Sequence, residues 1–239
     1  MKALRRWISA RAPRADDGLS LAEMIVTLGL TTLVAGFTFA LLMQGVRSTG
    51  SSAVRQDNAG QARVAIEAVS RNLRTAVSPI QFQGLTCTSG CTATTAVTAA
   101  DGSSLTFYAN INGVEAAPSR ITYALTGSSL VETVQAPVVS ATNYSFCAPG
   151  GSCAVRTRTL ARGVVTPTAA EPLFTYYGDG APPPPLGTPP TAAELVHIDA
   201  VEILLKVRSS AKWGTPATTV AMRVALPNAD YARATNGGS

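Results

Sequence analysis

Gly18-Leu19-Ser20-Leu21-Ala22-Glu23-Met24-Ile25-Val26-Thr27, continued from Leu28 to Met43 without another charge, is the stretch on which the fold turns. Leu19 to Met43 is 25 residues, and Glu23 is the only charged one among them. As a helix rising ~1.5 Å per residue, this run is about 37 Å long, enough to cross a hydrocarbon core of about 30 Å. The expectation is a membrane-spanning helix over about 19–43. A carboxylate so near its start is costly in lipid and usually marks a function. Ser20-x-x-Glu23 also fits a capping box, in which both side chains satisfy free N–H groups at a helix start.

Outward toward the N-terminus lies a short basic leader. Lys2, Arg5, Arg6, Arg11 and Arg14 precede Asp16, Asp17 and Gly18. Positive charge beside an apolar span stays in the cytoplasm, so the leader is expected inside and the remainder outside. Outward toward the C-terminus, Gly45, Gly50, Ser51 and Ser52 make a soft patch in a helix-compatible sequence. Ala62, Ile66, Val69, Leu73 and Ala76 then recur at helical spacing and form one apolar stripe. Pro79 should end the helix at or before Ser78. The prediction is one long helix over 19–78, its first half apolar all round and its second half packed on a sheet.

Gly18, an apolar residue after it, Glu23 at the fifth position beyond the glycine, and about twenty apolar residues together resemble the class III signal of type IV pilins and pseudopilins. The resemblance covers about 26 residues. It implies a leader, residues 1–18, removed by a prepilin peptidase between Gly18 and Leu19, and N-methylation of Leu19. It further implies subunit assembly through Glu23 and a pilin-like fold. That family usually carries Phe at the first mature position, where this chain has Leu19. A secretory signal peptide has an apolar region of about 7–15 residues and a small-residue site after it, shorter than this run. A plain anchor explains the span but neither Gly18 nor Glu23. Looser matches, in Ala65–Ala76, in Pro172–Tyr177 and in Ile198–Leu205, look like PilW-type or type II secretion J-type minor pseudopilins.

The 239 residues carry 19 Lys and Arg against 14 Asp and Glu. The leader holds five of the basic and two of the acidic residues, so the rest is 14 against 12, or formally +2. The basic balance is therefore poor support for nucleic-acid binding, and that partner stays uncertain. About 160 residues beyond the helix, 79–239, suffice for one domain with a core of its own.

Four cysteines stand in two close pairs, Cys87/Cys91 and Cys147/Cys153. In an exported chain an even count suggests disulfides. Four cysteines allow three pairings. The two local bridges are favoured because each closes a Gly-containing loop, and a zinc site of four thiolates is the rival. Residues 80–104 read as loop with one weak strand. Strand-like runs follow at 105–109, 120–125 and 130–134, the last two joined through Gly127-Ser128 as a hairpin. Further runs lie at 160–165 and in the aromatic segment 171–180. The Pro-rich segment 181–190 should lie extended on the surface, unpaired in any sheet. Ile198–Val207 and Thr218–Leu226 make a C-terminal hairpin around a loop with Trp213 and Gly214, and the tail from Pro227 looks frayed. The fold class expected is α+β, a long helix on an antiparallel β-sheet domain.

Catalytic chemistry is absent from the pattern. No phosphate loop, dinucleotide fingerprint or metal-protease helix occurs, and His197 is the only histidine. Asp179 sits in a Gly-Asp-Gly turn, but one carboxylate is too little for calcium. Neither an enzyme nor a cofactor or metal site is expected. The reading is a minor pilin or pseudopilin, a structural subunit or assembly initiator of a type IV pilus or type II secretion pseudopilus. Its partners would be the prepilin peptidase, the membrane, and other pilins in a filament or priming complex. A filament-tip module contacting DNA, a surface or a secreted protein is the alternative.

Overall fold

The computed structural model describes residues 20–81, 85–91, 95–111, 117–147, 155–180, 182–209 and 215–228. Among them, one long N-terminal α-helix packs on antiparallel β-sheets, an α+β arrangement. Helix α1 runs Leu21–Arg74 without a break, and a division of the chain into two compact units falls within it, at Gly50 and Ser51.

In the first unit, residues 21–43 of α1 are apolar on every side apart from Glu23 and the threonines, and exposed throughout. Its threonines are exceptions only in name. Thr27, Thr31, Thr32 and Thr38 each donate their hydroxyl to a carbonyl three or four residues back, at 2.6–3.0 Å. No polar hydrogen on those side chains is left to seek water.

In the second unit, α1 buries Asn58, Ala62, Ala65, Ile66, Ala68, Val69, Ser70 and Leu73. The apolar stripe expected from periodicity is therefore the seam between helix and sheets. Each fully buried aliphatic side chain there contributes roughly 1.5–3 kcal/mol. The helix stops four residues before Ser78 because its last turn is recruited by the sheet: Val77 donates to the Tyr108 carbonyl at 2.9 Å, and Asn110 donates to the Thr75 carbonyl at 3.0 Å.

In chain order the strands are β1 (Thr86–Ser89), β2 (Val97–Ala100), β3 (Ser104–Ala109), β4 (Ser119–Thr126), β5 (Ser129–Gln135), β6 (Val138–Ser140), β7 (Asn143–Ser145), β8 (Val155–Arg162), β9 (Phe174–Gly178), β10 (Ile198–Val207) and β11 (Thr218–Ala225). The main sheet has the order β2-β3-β4-β5-β8, a second has β11-β10-β9, and a small third has β1-β7-β6. Every pairing in the first two is antiparallel. The β4–β5 hairpin turns at Gly127 and the C-terminal hairpin is β10–β11, both where alternation places them. The two larger sheets share one core with α1, in which Phe107, Ile121, Tyr123, Phe174, Val201 and Ile203 are fully covered. A β-bulge opposite Gly178 and Tyr177 puts Ile198 on the same buried face as Val201 and explains why apolar spacing changes phase along β10.

Three expectations need correction. The strand expected at 160–165 is displaced: β8 ends at Arg162, and the chain then leaves its sheet. Gly163 takes φ +67°, and Val164 bridges to Val207 of β10. A Cβ at 163 would meet the Arg208 carbonyl oxygen at 2.6 Å, so this crossing between sheets needs glycine. The region expected as loop with one weak strand contains two, β1 and β2. The Pro-rich segment is exposed as expected but it does pair. Leu186 donates to Tyr176 and Gly178 donates to Pro184, with Tyr177 opposite Pro185. Proline lacks the N–H but keeps its carbonyl, so a Pro-rich segment can still close the outer side of an edge strand. The Trp213–Gly214 loop and the tail from Ala229 lie outside the described residues.

Candidate assembly surface and arginine-lined clefts

The helix surface comes first. Leu21 and Ile25 on one side of α1, and Phe37 and Leu41 on the opposite side, are all 62–77% exposed. A helix apolar all round that nothing covers is unstable against water and calls for lipid or other helices. α1 is long and apolar enough to cross a membrane. Glu23 lies in its first turn and is exposed. The capping box is not made: Met24 donates to the Ser20 carbonyl at 3.1 Å, but Glu23 has no hydrogen bond or ion pair among the described residues. Its carboxylate is available to a partner outside the chain. Gly18 and Leu19 lie outside the described residues.

The second feature is a polar node where α1 meets the main sheet. Glu132 is 4% exposed, because strand alternation places it inward between Leu130 and Val134. Its Oε1 accepts from Asn72 Nδ2 at 3.0 Å and from the Tyr123 hydroxyl at 2.9 Å, and its Oε2 accepts from Arg158 Nε at 3.0 Å. A buried carboxylate is tolerable on those terms, with its charge paired and its lone pairs used. Burial, then the Glu132 charge, push the Tyr123 phenol far up, so it stays a donor.

Around this node arginines gather that are far apart in sequence. Arg71, Arg156 and Arg158 line a cleft of about 560 Å³ between α1 and β8. Further along β8, Arg162 and Arg208 line another of about 700 Å³ together with Asp57, Asn58 and Ser209. The outer edge of β8 is largely exposed, and charge along an exposed edge also deters pairing with another sheet.

Comparison with protein-family models finds none that matches the chain, and comparison with curated proteins finds no match either. The case for function therefore rests on the residues themselves.

Cys87 and Cys91 form a disulfide with Cα atoms 6.3 Å apart. The loop it closes contains Gly90 at φ +75°, where a Cβ would strike the Phe146 carbonyl oxygen at 2.3 Å. This bridge edges a second small core of Tyr108, Ala117, Tyr144 and Phe146. Burial there pushes the Tyr144 phenol up to about 12. The second expected bridge falls on Cys153, which lies outside the described residues. His197 ends a short 3₁₀ turn before β10 and reaches Asp179 Oδ2 through Nδ1 at 3.5 Å, both side chains more than half exposed. Among the described residues no group of three His, Cys, Asp or Glu could hold a metal ion. Sequence reasoning missed Glu132 and the arginine clefts. The parity of Leu130-Val131-Glu132-Thr133-Val134 carries a signal for the first, and none exists for the second.

Proposed function

We propose that the chain is a minor pilin or pseudopilin: a structural subunit, or assembly initiator, of a type IV pilus or type II secretion pseudopilus. One observation carries the reading. A helical segment exposed on all sides satisfies its threonine hydroxyls internally and offers a single carboxylate, Glu23, without a partner. Such a surface suits lipid first and a bundle of like helices afterwards. In a water-poor bundle Glu23 would pair with the amine of Leu19 on a neighbouring subunit, since neither charge tolerates isolation there. That pairing requires a free amine at Leu19, and so cleavage after Gly18 by a prepilin peptidase, followed by N-methylation. The leader would stay cytoplasmic and the β-rich domain would lie outside, later on a filament. On this reading the chain is no enzyme.

The alternative, a filament-tip binding module, is favoured by the arginine-lined clefts beside β8. The deciding experiment is N-terminal analysis of protein from its own host. A mature start at Leu19 is expected; a native start at Met1, or a cut beyond Met43, sinks the pilin reading.

A further inference from the structure

The larger cleft is built from three segments that converge where the two big sheets join. Asp57, Asn58 and Gln61 come from α1, Arg162 from the end of β8, and Arg208 and Ser209 from just beyond β10. Gln61 is occupied, its Oε1 accepting from the Arg162 backbone N–H at 2.7 Å. Asn58 is different. It is 2% exposed, it lines this cleft, and its Nδ2 has no hydrogen-bond partner. Ser209 Oγ, also buried and lining the cleft, has none either. A buried amide donor without a partner destabilises the fold, whereas a leucine of similar shape at that position would carry no such desolvation cost. The Arg162 and Arg208 guanidinium groups make no ion pair among the described residues. Donors thus dominate: two guanidinium forks, an amide and a hydroxyl, against the single carboxylate of the exposed Asp57.

We infer that this cleft binds an oxyanion, a carboxylate or phosphate group of a ligand. The guanidinium forks would take it bidentately, and Asn58 Nδ2 and Ser209 Oγ would close on its remaining oxygens. The inference stands independently of the pilin reading, because it concerns the β-rich unit alone.

The test is calorimetric titration of the full-length chain in detergent micelles, with inorganic phosphate and with acetate as separate probes at constant ionic strength. Binding of at least one probe is expected, and which one binds tells phosphate from carboxylate chemistry. Arg208→Gln should weaken it roughly tenfold or more, since the charge and the two-pronged contact of that guanidinium are lost. Arg156→Gln, in the other cleft, should leave it unchanged. Asn58→Leu guards against a variant that merely unfolds. It should raise the unfolding temperature without probe and abolish the rise that the probe gives the wild type. Failure of both probes to bind, equal weakening by Arg156→Gln, or a full probe effect in Asn58→Leu would each overturn the inference.

Discussion

Glu23 is the residue where two physical accounts part. If it served only its own helix, as an acidic group in the first turn, Glu23→Gln would cost no more than about 0.3–1 kcal/mol. If it pairs with a neighbour's N-terminal amine, the substitution strands a buried cation, at about 3–5 kcal/mol. The expected outcome is normal membrane insertion with reduced recovery in sheared filaments, read by comparing membrane and filament fractions. Equal incorporation would return Glu23 to a local role. Asp101 permits a prediction about acid. Burial alone would raise its carboxyl. Hydrogen bonds from the Ser104 and Ser103 hydroxyls and from both their backbone N–H groups outweigh that and hold it below the usual carboxylate range. A depressed folded value means its stabilisation is full above the unfolded value, about 3.9, and fades as pH falls through the folded one. Urea midpoints should therefore favour the wild type over Asp101→Asn at neutral pH, with the gap closing at low pH. Gly163→Ala should cost about 1–3 kcal/mol by the same measurement, because it forces a positive-φ alanine against the Arg208 carbonyl.

At the scale of elements, legibility followed periodicity. The stripe Ala62, Ile66, Val69, Leu73 could be read because a helix repeats its buried face, and β4, β5 and β10 could be read because a strand alternates. Ile66→Ala should destabilise by about 2–5 kcal/mol through the cavity it leaves at this seam. Strands β1, β6 and β7 were illegible for the opposite reason. They are three or four residues long, mostly exposed, and depend on one another through a parallel β1–β7 pair and the β6–β7 hairpin. Strand β8 was misplaced because its sequence runs Arg156-Thr157-Arg158-Thr159, with no apolar alternation, and only pairing with β5 makes it a strand. The arginine clefts were invisible since helix, strand and loop each supply one side, and sequence distance says nothing of that meeting.

For the whole molecule, the uniformly apolar first half of α1 and the sealed β-rich unit have different solvents in view. The full chain should stay in the membrane pellet after alkaline carbonate washing, which strips proteins held only at the surface; release into the wash would contradict a spanning helix. A quieter feature bears on how copies of this chain could meet. Strand β9 would be a bare margin of its sheet, yet Pro184, Pro185 and Leu186 lie along it and use up its Gly178 N–H and Tyr176 carbonyl. The proline nitrogens of that added segment carry no hydrogen to offer a further strand. Runaway stacking of one molecule's sheet onto another's, the route toward fibrous precipitate, is thereby blocked on that flank.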